Sequence, residues 1–144
     1  MRMTRRGFGV LVGGAVVAET LVRAWPAMGE TTAEELTTKS VTELSAMMRA
    51  KSVTSTQLVN ALLARMDTIN PKVNAVVTVM AKQALAQAAE LDAEQKAGKF
   101  RGPLHGIPLA LKDNIDTAGT RTTAASPMFK DRIPTEDAAF VAKL

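Results

Sequence analysis

The sequence contains no cysteine, and aromatic residues make up only 3% of its 144 residues. Without cysteine, no disulfide can stabilise the fold. With so few aromatic side chains, there is little surface on which nucleic-acid bases could stack. The charge distribution also argues against nucleic acid as a partner. Residues 1–29 hold four arginines and one glutamate, whereas the rest of the chain holds 14 basic and 13 acidic groups. No basic surplus therefore remains in the main part of the chain for binding nucleic acid.

A long hydrophobic run is also missing. The apolar stretch at residues 7–18 has twelve residues, whereas a helix that spans a bilayer needs about twenty. It follows the pair Arg5 and Arg6 and precedes a small-residue exit, Ala-Met-Gly, at residues 27–29. This pattern predicts a twin-arginine signal peptide over residues 1–29, with only transient membrane contact, and therefore a bacterial protein in the periplasm or outside the cell. An uncleaved membrane anchor and a start-site artefact are the alternatives.

After the leader, the pattern predicts a linker at residues 30–39 and a folded part at residues 40–144. Ser40 with a glutamate three residues later, and Thr54 with a glutamine three residues later, predict capping boxes at two helix starts. Apolar periodicity and valine-rich runs predict the remaining elements. In chain order these are helices to residue 50, at 55–69 (ended by Asn70-Pro71) and at 81–97, strands at 73–80 and 107–111, and a last helix at 137–144. The order is that of an incomplete α/β fold.

The most informative stretch places a single lysine at the end of a short apolar run. Residues 107–111 read Ile-Pro-Leu-Ala-Leu and predict a strand buried on both faces. Lys112 lies at the exit of that strand, and Asp113 begins a polar loop. In open α/β sheets this edge is where ligands bind. Lys112 is therefore the candidate functional residue, and a surface lysine at a strand end is the alternative.

The residues around Lys112 resemble a known family. Gly-Pro-Leu-His-Gly-Ile-Pro-Leu-Ala-Leu-Lys-Asp-Asn-Ile-Asp at 102–116, followed by Ala-Gly-Thr-Arg-Thr-Thr-Ala-Ala-Ser at 118–126, is similar to the lysine segment of the amidase signature family, which includes fatty acid amide hydrolases and the amidase subunit of the tRNA-dependent amidotransferase. The likeness covers residues 40–144, the first quarter or so of a family member, and implies the first helices and strands of its mixed-sheet fold. One position departs, since Ala125 stands where many relatives have a glycine, which adopts positive φ more readily.

The resemblance implies a mechanism. Family members use a serine nucleophile, a second serine in a cis peptide bond that relays the proton, and a lysine that acts as general base; Lys112 matches the lysine. A lysine ammonium has an ordinary pKa near ~10.4, so its surroundings must lower that pKa before it can accept a proton at pH 7. Both serines and the oxyanion hole lie in a Gly/Ser-rich segment that these 144 residues lack. The resemblance thus implies an amidase that hydrolyses a carboxamide C–N bond of a small molecule without cofactor or metal, and the predicted leader makes it an exported one. The 144 residues are then expected to be a truncated fragment that is inactive alone.

Three other features carry weaker hypotheses. His105 could be a base, but a lone histidine beside a turn is more often a structural hydrogen-bonding residue. The acidic stretch at 113–116 lacks the glycine and the closing glutamate of a calcium loop, which favours a solvated turn. Ser55 and Ser126 do not lie in a strand-to-helix glycine elbow, so they are interpreted as cap or turn serines.

A second class of function stays open from the residues alone. An exported α/β module that binds a partner or a small amide without catalysis would have the same leader and the same element order. The last predicted helix runs to residue 144, which favours a fragment over a complete domain. A Gly/Ser-rich run encoded downstream would distinguish the amidase from the binding module.

Overall fold

The computed structural model describes residues 31–144. It has four α-helices, α1 (Ala33–Leu36), α2 (Val41–Arg49), α3 (Ser55–Val73) and α4 (Ala81–Lys96), followed by two 3₁₀ turns at Pro127–Phe129 and Val141–Lys143. None of these helices is both long enough and apolar enough to cross a bilayer. The predicted signal peptide, residues 1–29, lies outside the described residues.

Three of the helices begin with a capping box, in which two side chains satisfy N–H groups that the helix itself leaves unpaired. At Ser40 the hydroxyl accepts from the N–H of Glu43 at 3.3 Å, and the Glu43 carboxylate accepts from the N–H of Ser40 at 2.8 Å. Thr54 and Gln57 make the same exchange at 3.1 and 2.9 Å. Both predicted caps are therefore confirmed, and Thr32 forms a third at the start of α1. Each cap stabilises its helix by about 1 kcal/mol.

The hydrophobic core is formed by side chains of α1, α2, α3 and the loop between α2 and α3, and α4 packs against α3. Its most buried large side chains are Met48 and Leu58, which are 2% and 1% exposed. Burial of a side chain of this size contributes about 1.5–3 kcal/mol. The remaining core side chains are those of Leu36, Leu44, Val53 and Ala61. Because Leu36 belongs to this core, residues 33–36 are part of the folded unit, although the sequence predicted a linker there.

Two polar side chains of α4 fasten the loop between α2 and α3. The amide nitrogen of Gln95 donates to the carbonyls of Met48 and Val53 at 2.7 and 2.9 Å. The Asp92 carboxylate accepts from the N–H of Ser55 at 2.6 Å and from the next N–H at 3.2 Å. These buried contacts position the first turn of α3, and Ser55 in turn positions the segment that leads to Lys112.

The end of α3 differs from the prediction, which placed it at Asn70-Pro71. The helix passes through Pro71 to Val73 and ends at Asn74, which has a φ of 48°. Pro71 lacks an N–H and costs the helix one hydrogen bond. The Asn70 side chain compensates by pairing with the backbone N–H and C=O of Val76, both at 2.9 Å. This local pairing holds the last turn together, and sequence periodicity alone did not indicate it.

The predicted strands at 73–80 and 107–111 are not formed within residues 31–144. Both segments are largely non-helical, and neither lies beside a strand in the described part of the chain, so their backbone groups have no ladder to join. Their side chains are correspondingly open to solvent: Val77 is 63% exposed and Leu109 is 50% exposed. The strands stay a prediction. The predicted last helix at 137–144 is only the 3₁₀ turn Val141–Lys143, as expected for a short apolar segment without a packing partner.

Candidate functional site

The segment that leads to Lys112 is anchored to α3 at Gly106. The buried hydroxyl of Ser55 donates to the Gly106 carbonyl at 2.9 Å. Gly106 has a φ of +77°, and an added Cβ would lie 3.2 Å from the Cβ of Ser55, so this position requires glycine. The next residue, Ile107, packs against the core. The backbone is therefore fixed immediately before the apolar run begins.

His105 is structural, as the sequence predicted. Its side chain is 2% exposed; Nδ1 accepts from the N–H of Arg101 at 3.2 Å, and Nε2 faces the Leu91 carbonyl at 3.1 Å. These two contacts assign the neutral tautomer with its hydrogen on Nε2, since a backbone N–H needs an acceptor and a carbonyl needs a donor. The edge of the imidazole also contacts Phe100, with ring centroids 5.1 Å apart. Both ring nitrogens are thus occupied, and His105 has none left for proton transfer.

Lys112 follows an exposed stretch and is itself exposed. Leu109 and Leu111 are 50% and 37% exposed, so the apolar run is not covered by the described residues. None of the ion pairs within residues 31–144 involves Lys112. Its carbonyl accepts from the N–H of Ile115 at 2.9 Å, which turns the chain directly after the lysine. The candidate base therefore lies at the start of a turn, and its side chain is exposed to solvent.

The turn belongs to a longer loop, here called the lysine loop (residues 112–126), which Asp113 closes. One carboxylate oxygen of Asp113 accepts from the N–H of Thr123 at 2.9 Å, and the other accepts from the Thr123 hydroxyl. The Asp113 carbonyl accepts from the N–H of Ala124 at 2.7 Å. These three hydrogen bonds, here called the Asp113 clamp, join the residue beside the lysine to the far end of the loop.

Two consecutive alanines at the far end of the lysine loop, next to the clamp, have left-handed backbone conformation. Ala124 and Ala125 have φ values of 50° and 54°. For a residue with a Cβ this conformation costs roughly 1–2 kcal/mol. The positive φ at Ala125 agrees with the sequence argument that a glycine would suit this position. The N–H of Ala125 is held by the Thr123 hydroxyl at 3.2 Å, which helps to retain the strained turn.

A second contact holds the outer side of the lysine loop. The guanidinium of Arg132 makes two hydrogen bonds to the Asp116 carboxylate, at 2.6 and 2.7 Å. The carbonyl of Arg132 accepts from the N–H of Thr122, and the carbonyl of Pro134 accepts from the N–H of Gly119, at 3.0 and 2.9 Å. Thr122 is 3% exposed, so the loop has a small buried centre of its own.

Both loop carboxylates are kept ionised. The hydroxyl of Thr123, and next its N–H, hold the pKa of Asp113 below its ordinary value. The bidentate hydrogen bond from Arg132 lowers the pKa of Asp116 in the same way. A carboxyl group with a lowered pKa is a poor proton donor at neutral pH. Asp113 and Asp116 therefore act as anchors of the loop, not as general acids.

The other residues considered from the sequence have structural contacts. Ser126 caps the 3₁₀ turn Pro127–Phe129, its hydroxyl accepting from the N–H of Met128 at 3.3 Å, and Ser55 is bonded to Gly106. Within residues 31–144, no three histidine or acidic side chains come together as a set that could hold a metal ion. The pairing of Asp113 with Thr123 was not predicted from the sequence, because the two residues lie ten positions apart in an irregular loop and no periodic pattern links such positions.

Comparison with known proteins identifies relatives of this arrangement. The family model described as Amidase matches residues 57–144, which include Lys112 and the whole lysine loop. The chain is 43% identical over 110 residues to a subunit of the glutamyl-tRNA(Gln) amidotransferase of Heliobacterium modesticaldum, covering 76% of this chain and 23% of that protein. It is 35% identical over 105 residues to an acylamidase of Rhodococcus erythropolis, covering 73% of this chain and 22% of that protein.

A solved structure is similar as well. The native peptide amidase of Stenotrophomonas maltophilia superposes with a TM-score of 0.69 at 41% sequence identity, covering 74% of this chain and 22% of the peptide amidase. The chain thus spans less than a quarter of the length of the relatives it matches. The superposed residues therefore match one part of the larger peptide amidase.

Proposed function

Since this chain belongs to the amidase family, we propose that it is the lysine-bearing N-terminal part of an amidase that hydrolyses a carboxamide C–N bond. The observation that carries the proposal is the location of Lys112, which lies inside the family match and at the start of the clamped lysine loop. Similarity to a peptide amidase and to an acylamidase supports hydrolysis of an amide. The proposed substrate class is a small-molecule carboxamide.

In the proposed mechanism, Lys112 is the general base of a serine, cis-serine and lysine set. Lys112 in its neutral form takes the proton that the relay serine passes on from the nucleophilic serine. The serine oxygen then bonds to the amide carbon, the C–N bond breaks, and the amine leaves with that proton. Water releases the acyl group by the same route in reverse. Neither serine of the set is present in this chain, so we propose that the 144 residues alone do not hydrolyse amides.

In this proposal, the rest of the enzyme covers the side chain of Lys112, which is exposed in the described residues. A neutral lysine requires burial or neighbouring dipoles, and the described residues leave Lys112 open. The remaining three quarters of the enzyme would supply the cover. The segments predicted as strands, 73–80 and 107–111, would then become interior strands, because their exposed valines and leucines need partner strands and a covered face. This assigns the mixed α/β sheet predicted from the sequence to the whole enzyme.

We further propose that residues 1–29 export the enzyme to the periplasm or the medium by the twin-arginine route. The support is the pair Arg5 and Arg6 ahead of a short, weakly hydrophobic run that ends in small residues. The membrane would be contacted only during export.

A chimera tests the proposed activity. Residues 31–144 replace the aligned segment of the Stenotrophomonas maltophilia peptide amidase, and hydrolysis is measured on a panel of carboxamides that includes peptide amides. We expect the chimera to be active, and both the 144-residue chain alone and the peptide amidase without its own aligned segment to be inactive. A folded chimera without activity on any amide would contradict the proposal and favour the exported, non-catalytic binding module.

A further inference from the structure

We propose that Asp113 is a positioning residue for Lys112, acting through the Asp113 clamp to set the direction in which the lysine leaves the backbone. This inference rests on the proposed function, in which Lys112 is the base. It concerns residues other than the base, Asp113 and Thr123, and assigns to them a role in the rate of the reaction.

Different contacts hold the backbone on the two sides of Lys112. On the N-terminal side, residues 108–111 have no regular secondary structure, are largely exposed and have no strand partner in the described part of the chain. On the C-terminal side, the Lys112 carbonyl is bonded to Ile115, and the next residue, Asp113, makes the three bonds of the clamp. The contacts that fix the peptide unit of Lys112 therefore come from the C-terminal side.

The clamp uses both ends of Asp113. Its carbonyl accepts a hydrogen bond from Ala124, and its two carboxylate oxygens accept hydrogen bonds from Thr123. Asp113 can therefore neither rotate its side chain nor turn its peptide plane without breaking a hydrogen bond. Bonds to an ionised carboxylate are stronger than those between neutral groups. The strained alanines at 124 and 125 are retained in the same unit. Strain of this kind persists where surrounding contacts over-determine the backbone, and it concentrates at functional sites.

The clamp also directs both carboxylate oxygens of Asp113 to hydrogen bonds with Thr123. A carboxylate beside a lysine can pair with the ammonium and favour its charged form, which is the wrong form for a base. Here the two oxygens accept from Thr123 instead. Position matters equally, since a displacement of about 1 Å of a reacting group can cost roughly 100-fold in rate.

The test uses the chimera described above and separates kcat from KM. Asp113→Ala removes the carboxylate, and Thr123→Val removes the hydroxyl at nearly constant volume. Both should lower kcat by about 10- to 100-fold and change KM by less than about threefold, because the substrate pocket is unaltered. Thr123→Ser keeps the hydroxyl and should retain kcat within about twofold of the parent chimera, since only a methyl group is lost. Asp131→Ala is the matched control, because that side chain is 83% exposed and, within residues 31–144, its ion pair is with Lys130.

The outcomes are distinct. An Asp113→Ala chimera with unchanged kcat, or a Thr123→Ser chimera as impaired as Thr123→Val, would overturn the inference. If Asp113→Ala does not fold, the Thr123→Val and Thr123→Ser pair decides alone. A parent chimera that folds without activity contradicts the proposed function and this inference with it, whereas an active parent with an unimpaired Asp113→Ala variant contradicts this inference only.

Discussion

The first turn of α3 depends on a carboxylate from another helix, and removing it should destabilise the whole core. Asp92 accepts from the N–H of Ser55 at 2.6 Å and from that of Thr56 at 3.2 Å. The first N–H groups of a helix have no partner within the helix. Ser55 is 3% exposed, so Asp92→Ala leaves its N–H without water as a substitute.

The size of the effect follows from these contacts. A hydrogen bond to a charged group contributes about 1.5–3 kcal/mol, and an unsatisfied buried N–H costs about 1–3 kcal/mol. The bond to Thr56 is longer and only partly buried, so it adds little. We expect Asp92→Ala to lower the free energy of unfolding by about 3 kcal/mol, which lowers the ratio of folded to unfolded molecules by roughly 100-fold.

Urea unfolding of residues 30–144, followed by the helical circular dichroism signal, measures this change. Asp92→Asn keeps one acceptor oxygen, so it should cost about half as much. Glu90→Ala is the matched control, because Glu90 is exposed on the same helix, and it should change the free energy of unfolding by less than about 0.5 kcal/mol. A loss below about 1 kcal/mol for Asp92→Ala would refute the reasoning, since it would mean that the two N–H groups find other acceptors.

Three further predictions concern the lysine loop and the leader. Ala125→Gly should stabilise the loop by about 0.5–1 kcal/mol and slow the hydrogen exchange of its amides several-fold, whereas Ala93→Gly, in the regular backbone of α4, should destabilise α4 by a similar amount. The lowered pKa of Asp113 means that its contribution is present above the ordinary value of about 3.9 and is lost as the pH falls through the folded value; loop amides should therefore lose exchange protection below about pH 4, and a loop that keeps full protection at pH 2 would contradict the clamp. Residues 1–29, fused to a reporter that must fold in the cytoplasm, should export it, and the double substitution Arg5→Lys with Arg6→Lys should block export; unchanged export would contradict the assignment of the leader.

What the sequence predicted correctly was local. The capping boxes at Ser40 and Thr54 depend on residues three positions apart. Such signals act within one turn of chain, so they can be recognised without knowing the fold. The assignment of Lys112 as a general base also comes from the residues immediately around it, and it stays a prediction.

What the sequence did not predict required partners that are distant along the chain. The Asp92 contact spans 37 residues and the Asp113 clamp spans ten, and neither separation matches the period of a helix or a strand. The continuation of α3 through Pro71 depends on a side-chain bond to Val76. The strands predicted at 73–80 and 107–111 stay unconfirmed for a related reason, because β structure forms only where neighbouring strands satisfy the backbone, and residues 31–144 place none beside them.

The central claim is that Lys112 is the general base of an amide hydrolase, and the kcat/KM of Lys112 and His105 variants of the chimera on one amide substrate tests it most directly. Lys112→Ala should lower kcat/KM by about 100- to 10,000-fold, because it removes the only proton acceptor that the mechanism assigns to this segment. Lys112→Arg should fail as well, since a guanidinium stays charged and cannot accept a proton. His105→Ala, once folded, should keep the parent kcat and the parent pH profile. An active Lys112→Arg chimera, or a folded His105→Ala chimera as inactive as Lys112→Ala, would contradict the account.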